Sequence, residues 1–294
     1  MKMVNKNYKI SVVIPAKNEE SSIGIVVSGI KKVLNDIEVI VVDDGSNDST
    51  FKNAAEAGAT VIAHKYSKGN GAAIKSGARA AKGDVIVFMD ADGQHDPNDI
   101  PRLLEKVYEG YDMAVGARNS SSQASVGRGI ANKFYNSFSS YITGHRIEDL
   151  TSGYRAVRAK KFREFLYLLP NGFSYPTTCT MAFFRAGYSV SYVPIIAAKR
   201  VGKSHIKLLK DGIRFLLIIF KIGTLYSPLK IFFPISLLHA VLGLSYYFYT
   251  FSTDARLSIV TIFMLTAAVT IFLIGLVSEQ ITQLIYKDSD SADD

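Results

Sequence analysis

A mostly parallel α/β sheet covered by helices, followed by a membrane-associated C-terminal part, is the architecture that this 294-residue chain predicts. Three observations lead there. Through residue 198, short apolar, β-branched runs alternate with helical stretches, the pattern of a parallel sheet buried on both faces. Two long uncharged apolar runs come after residue 230. Acidic residues cluster directly behind three of the strand runs, where open α/β sheets bind their ligands.

Composition narrows the class. Hydrophobic residues are 48% of the chain and charged residues 20%, which excludes a disordered chain. Most of the chain has ordinary globular composition, which excludes a fully polytopic transporter. The single cysteine, Cys179, can form neither an internal disulfide nor a cysteine-based zinc site, so a reducing compartment is expected. The net charge of +8 points to an anionic partner: nucleic acid, anionic lipid or a phosphorylated substrate. The positive excess concentrates beside the apolar runs, so nucleic acid is not the expected partner.

Strands are expected at 10–14, 38–42, 60–63, 85–89 and 113–115, with helices near 20–34, 48–57, 71–81 and 97–109. The first strand leads into PAKNEE (15–20), the second into DDGSNDST (43–50) and the fourth into DADGQHDP (90–97). Helix capping accounts for Asp48 and for Asp96 before Pro97. It does not account for Asp90 and Asp92. These two carboxylates with Gln94 offer an all-oxygen site to a hard cation, Mg²⁺ or Mn²⁺, which completes its shell with substrate phosphates. Two readings stand for His95: a solvated loop histidine, which is preferred, or a residue that approaches the metal or diphosphate. KGNGAAIKSGARAAKG (68–83) lacks the full phosphate-loop pattern. Either Gly69 and Gly71 let the backbone approach a phosphate, with Lys68 beside it, or the segment simply packs through its small residues.

The apolar runs at 231–251 and 257–278 are each about 21 residues, enough for a helix to cross roughly 30 Å of hydrocarbon. The five residues between them allow only a hairpin turn, so both flanks lie on one side. Lys199, Arg200, Lys203, Lys207, Lys210, Arg214, Lys221 and Lys230 precede the first run, which places the large N-terminal part in the cytoplasm. The first residues carry no apolar stretch long enough for a signal peptide, and the soluble part is expected not to be exported. Residues 204–227 read as a basic amphipathic helix in the headgroup layer, or as a surface helix packed on a core. His239 in the first span is expected to face the partner helix.

PAKNEE, DDGSNDST, KGNGAAIKSG and DADGQHDP, in this order and spacing, resemble the family 2 glycosyltransferases of GT-A fold. DLTSGYR (149–155) and KRVGKSH (199–205) are similar to the dolichyl-phosphate mannose synthase-like, polyprenyl-phosphate glycosyltransferase branch. The resemblance implies a Rossmann-like GT-A catalytic domain over 1–198 and an acceptor loop with basic amphipathic interface helices over 199–228. Two transmembrane helices over 229–280 and an acidic, disordered tail over 281–294 complete the chain. It implies that Pro15, Lys17 and Glu19 line the nucleotide pocket, with Asp43 reading base or ribose, Lys68 nearby, and Asp90, Ala91 and Asp92 at the diphosphate. Asp90, Asp92 and Gln94 match its metal site. Arg118 and Arg128 match arginines at the lipid phosphate, joined by Lys199, Arg200, Ser204 and His205. The family motif has Arg where this chain has Lys199, and Lys where it has His205.

The reaction so implied is direct, inverting displacement of a nucleoside diphosphate by the phosphate of a dolichyl or polyprenyl acceptor. An anionic acceptor needs no general base. It needs leaving-group stabilisation at Asp90 and Asp92, and arginines that hold two anions together. Arg155 serves this too, or pairs with a buried aspartate to fix its turn. Asp149 either acts directly at the sugar or orients an arginine. The donor is left among UDP-glucose, UDP-N-acetylglucosamine and GDP-mannose; Lys17, where mannose synthases often carry an aromatic residue, tilts toward UDP. Two lone spans also allow a homo-oligomer. Three rivals stand beside this reading: a processive polysaccharide synthase, an anchored transferase acting on a glycan or protein, and a non-catalytic nucleotide-sugar scaffold. The absence of tryptophan argues against the first, whose acceptor motif contains it.

Overall fold

Seven strands form one sheet in the computed structural model, which describes residues 8–35, 37–118, 126–172, 174–198, 217, 220, 223–254 and 256–290. The apolar runs build its centre. β1 (Ile10–Ala16) and β2 (Glu38–Asp43) are buried along nearly their whole length, and β4 (Val85–Phe88) entirely. β3 (Thr60–Ala63) forms a half-exposed edge. The remaining strands are β5 (Met113–Arg118), β6 (Arg155–Arg158) and β7 (Val190–Ile195). The order across the sheet is β3-β2-β1-β4-β6-β5-β7, and β6 runs antiparallel to both of its neighbours.

Helices cover the sheet because their apolar residues recur on one face. α1 (Ile23–Val33) buries Ile23, Val26, Val27 and Ile30 in the core formed with Val12, Ile14, Val39 and Val41. Each such side chain contributes about 1.5–3 kcal/mol when fully buried. α2 (Thr50–Glu56) follows β2. α3 (Asn70–Ala80) lies against β1 and β2 through Gly77, where a Cβ would strike the side chains of Val13 and Val42. A turn at Pro97–Asp99 leads into α4 (Ile100–Tyr108), and Asp96 caps it by accepting the Asn98 N–H at 2.9 Å. α5 (Val126–Thr143), α6 (Ala159–Glu164) and α7 (Tyr175–Arg185) complete the helices before residue 198.

The five expected strands and four expected helices are all present, with ends displaced by up to three residues. The expected helix at 20–34 begins only at Ile23, because the Glu19 carbonyl first turns the chain by accepting the N–H groups of Ser22 and Ile23.

The chain divides into two compact units, Met1–Ser140 with His145–Lys207, and Tyr141–Gly144 with Leu208–Asp294. In the second unit α8 (Pro228–Asp254) and α9 (Ile259–Asp290) pair as a hairpin. Only 17% of the most apolar stretch of each helix is buried within the protein, so neither is a core helix of a soluble fold. Their contact is close: Gly275 faces Phe232, and the Ser236 hydroxyl donates to the Ala268 carbonyl at 2.7 Å. The His239 ring nitrogen lies 2.8 Å from the carbonyl of Ile235 in its own helix, so its polar contact is not with the partner helix. The tail expected to be disordered from residue 281 is helical as far as Asp290, since α9 continues through it.

Candidate active site

β1 to β4 are parallel, so their carboxyl ends share one edge of the sheet. β5 and β7 end on the same edge, and antiparallel β6 begins there. Topology alone therefore brings PAKNEE, DDGSNDST, DADGQHDP, Arg118 and the DLTSGY segment to one rim.

The first two loops are zipped together. Asn18, held at a φ of 54°, donates its N–H to the Ser46 hydroxyl at 2.9 Å and accepts the Asn47 N–H on its side chain at 3.0 Å. Glu19 donates its N–H to the Thr50 hydroxyl at 2.8 Å. Pro15 is buried beside Val42, Lys17 is exposed, and half-buried Glu19 accepts a hydrogen bond from Ser22. Asp43 is buried and holds its loop by accepting the Ser46 N–H at 3.0 Å.

Asp44, which sequence reasoning passed over, organises the next segment. It accepts from the Ser67 hydroxyl and the Lys68 and Gly69 N–H groups, each at 2.8 Å, and faces His64 Nδ1 at 2.7 Å. Burial alone would raise its pKa; the hydrogen bonds from His64, Lys68, Ser67 and Gly69 outweigh that and lower it. The N–H groups of Gly71 and Ala72 bind the carbonyls of Gly172 and Asn171. These two N–H groups are thereby taken, and Gly71 lets the start of α3 pack against the backbone of Pro170–Gly172. The Lys68 ammonium is exposed, 5.8 Å from the Tyr66 ring centroid.

Behind β4, Ala91 is buried while Asp90 and Asp92 are half-exposed. Gly93 takes a φ of 72°, and the turn closes as Asp92 accepts the Gln94 N–H at 3.1 Å. The Gln94 side-chain amide donates to the Ala198 carbonyl at 3.1 Å, and Ala198 returns its N–H to the Gln94 carbonyl at 2.9 Å. Gly153 leaves the Asp90 carboxylate uncovered, since a Cβ there would come within 3.1 Å of it. His95 departs from expectation: it is 7% exposed and stacks on Tyr154 at 4.7 Å between centroids. Its Nδ1 lies 3.9 Å from Asp90 and finds no hydrogen-bond partner among the described residues. No three His, Cys, Asp or Glu side chains stand close enough to cage a cation among the described residues. The half-exposed carboxylates of Asp90 and Asp92 fit a divalent cation held jointly with a diphosphate, which needs only one or two carboxylates from the protein.

Arg118 and Asp149 form a forked pair. Nε donates to one carboxylate oxygen at 2.7 Å and Nη2 to the other at 2.9 Å, with Nη2 also on the Thr151 hydroxyl at 2.7 Å. Burial opposes charge on both groups, but their mutual attraction prevails, raising the pKa of Arg118 and lowering that of Asp149. Asp90 adds to the shift on Arg118. Asp149 thus orients an arginine.

Arg155, fully buried, pairs with no aspartate among the described residues. It donates to the carbonyls of Ser152 and Pro176 and to the Thr180 hydroxyl, and so fixes the SGYR turn by another route than expected. Arg128 lies on α5, and its side chain is outside the described residues. Lys199, Arg200, Ser204 and His205, with most of the expected amphipathic helix, also lie outside them. Thr151, Gly153 and Tyr154 were missed as site residues; their one sequence signal was adjacency to Asp149 within DLTSGYR.

Residues 11–166 match the model of glycosyl transferase family 2, and residues 227–284 match the GtrB C-terminal hairpin. The chain is 31% identical over 212 residues to the polyprenol monophosphomannose synthase of Mycolicibacterium smegmatis, covering 67% of this chain and 80% of that one. It is 36% identical over 170 residues to the undecaprenyl-phosphate 4-deoxy-4-formamido-L-arabinose transferase of Proteus mirabilis, covering 54% and 51%. An uncharacterized protein of Methanocaldococcus jannaschii is 37% identical over 161 residues, covering 52% and 65%. The chain thus spans about half to two thirds of the length of several curated relatives that it matches. Glucosyl-3-phosphoglycerate synthase from Mycobacterium tuberculosis, solved with Mn²⁺, UDP and glucosyl-3-phosphoglycerate, shares the fold at a TM-score of 0.60 and 23% identity, over 74% of this chain and 80% of that one. The mostly parallel sheet is of GT-A type, and the chain belongs to glycosyl transferase family 2, in its polyprenyl-phosphate branch.

Proposed function

We propose that this protein is a membrane-bound inverting glycosyltransferase that moves a sugar from a nucleotide-sugar donor to polyprenyl or dolichyl phosphate. The observation that carries this reading is the convergence of the Asp90/Asp92 loop and the Arg118–Asp149 fork on one sheet edge, in a chain that also carries the apolar hairpin. The relatives named for polyprenol and undecaprenyl-phosphate substrates support the acceptor class. A solved neighbour's Mn²⁺ and UDP support a divalent cation and a nucleoside diphosphate.

In the proposed reaction an acceptor phosphate oxygen attacks the anomeric carbon of the donor. The bond from that carbon to the diphosphate breaks, and the nucleoside diphosphate leaves with the electron pair. Asp90 and Asp92, with Gln94, would hold Mg²⁺ or Mn²⁺, which would supply neutralisation of charge on the leaving diphosphate. Asp43 and the zipped loop of Pro15, Lys17 and Glu19 bind the nucleoside, and Lys68 reaches a phosphate. Asp149 fixes the plane of the Arg118 guanidinium, and Arg118 presents that fork to the acceptor phosphate. Arg128, Lys199, Arg200, Ser204 and His205 complete the acceptor site, on the cytoplasmic side of the membrane. Among donors, a uridine nucleotide is favoured by Lys17.

The test is sugar transfer in detergent from a panel of radiolabelled UDP- and GDP-sugars to polyprenyl phosphate, with Mg²⁺, with Mn²⁺ and with chelator. One labelled lipid, formed only with metal and lost in Asp92→Asn, is expected. Nucleotide-sugar binding with no lipid product from any donor would contradict the acceptor assignment.

A further inference from the structure

We infer that His64 is a positioning residue of the donor site: through Asp44 it sets the loop of residues 66–69 that carries Lys68, and so governs nucleotide affinity. The inference rests on the donor site proposed above and extends it to a buried histidine that the proposed reaction does not use. Three observations support it.

The first is the saturation of one buried carboxylate. Asp44 Oδ1 accepts from His64 Nδ1 at 2.7 Å and from the Lys68 N–H at 2.8 Å. Its Oδ2 accepts from the Ser67 hydroxyl and the Gly69 N–H, each at 2.8 Å. These donors fill the roughly four acceptor positions of an ionised carboxylate. Three of them belong to the loop, so His64 is the anchor from outside it among the described residues. The second observation is that His64 is itself held fast. It is buried, its N–H donates to the Asp43 carbonyl at 2.9 Å, and its Nε2 lies 2.9 Å from the Ser76 hydroxyl on α3. Facing an ionised carboxylate, Nδ1 carries the proton, and Nε2 therefore accepts from Ser76. The Nδ1–H group thus fixes the rotation of the Asp44 carboxylate, and the carboxylate fixes the loop. The third is how closely that loop is seated on the turn behind β2. Gly45 has a φ of 68°, and a Cβ there would come within 2.9 Å of the Ser67 nitrogen and the Tyr66 carbonyl carbon. The loop that carries Lys68 and the turn that carries Asp43, both assigned to the nucleotide, are therefore held to each other.

Titration calorimetry of the full-length protein in detergent, with UDP in one series and GDP in another and Mn²⁺ in both, tests this. His64→Leu removes both ring contacts and is expected to weaken nucleotide binding roughly 10- to 100-fold, the worth of a hydrogen bond to a charged group. His64→Gln, which keeps a polar group only at the place of Nε2, gives the same reading should the Leu variant fail to fold. His64→Asn puts a donor back at the place of Nδ1 and is expected to recover most of the affinity. Lys68→Ala should weaken binding in the wild-type background and add little to His64→Leu, because the loop is then already displaced. In turnover, KM for the donor should rise while KM for the lipid phosphate stays unchanged. A histidine that only supports the core would lower the unfolding temperature and leave nucleotide affinity alone. That result, a loss undiminished in His64→Asn, or additive effects of His64→Leu and Lys68→Ala would overturn the role of His64 and leave glycosyl transfer standing. Wild-type protein that binds neither nucleotide would overturn the donor site as well.

Discussion

Asp149 has both carboxylate oxygens engaged by one guanidinium, and its pKa is lowered; a residue so held is a poor proton acceptor and a good clamp. Asp149→Asn is therefore expected to cost activity through Arg118. Transfer should fall strongly, with a rise in KM for the lipid phosphate and little change in nucleotide binding. Its stability cost should be about 1–3 kcal/mol, between the ~0–1 kcal/mol of exposed pairs and the ~3–5 kcal/mol of fully buried ones, since the Arg118 side chain is 32% exposed. A double-mutant cycle with Arg118→Ala, read by thermal unfolding, measures the coupling. The acidic residues of this site were legible in the sequence because carboxylates behind apolar strands have few structural reasons to be there. Asp44 was not, nor was the burial of His95. Their partners, His64 just after β3 and Tyr154 just before β6, are distant in sequence, and single-residue reasoning sees no such contacts.

Elements position these residues through close packing as much as through hydrogen bonds. α3 approaches β1 and β2 because Gly77 has no Cβ, so Gly77→Val should force Val13 and Val42 apart. The expected cost is about 1–3 kcal/mol, as for other overpacked cores, and it is checked by thermal unfolding of the full chain in detergent. In the hairpin, Gly275→Leu should likewise push Phe232 away and weaken the α8–α9 pairing, read by protease sensitivity of the detergent-solubilised protein. β1 to β5 were legible because short apolar, largely β-branched runs alternating with helical stretches announce a parallel sheet. β6 was not: its four residues carry arginine at both ends, and Arg155 is buried only because carbonyls of Ser152 and Pro176 surround it. The end of α9 escaped for another reason. The acidic end of the chain read as a tail, yet as far as Asp290 it continues a helix already nucleated by the apolar span.

At the scale of the whole molecule, Asp44, Asp112 and Asp149 all have lowered pKa values. Each binds fewer protons folded than unfolded, so the stability it contributes is complete above the unfolded carboxylate value of about 3.9 and is lost as pH falls through the folded one. The thermal midpoint should accordingly decline below about pH 4, with little further pH dependence from these groups above it. The hairpin should keep the protein in the membrane pellet after an alkaline wash, as expected of two spanning helices. The central claim is that the acceptor is a phosphate carried on a lipid. It is tested most directly by offering the full-length enzyme polyprenyl phosphate and the matching polyprenol side by side, with the preferred labelled nucleotide sugar and Mn²⁺. Labelled lipid from the phosphate alone, abolished by chelator, is the expected result; equal labelling of the free alcohol, or labelling of neither lipid while a glycan or protein is labelled, would contradict it.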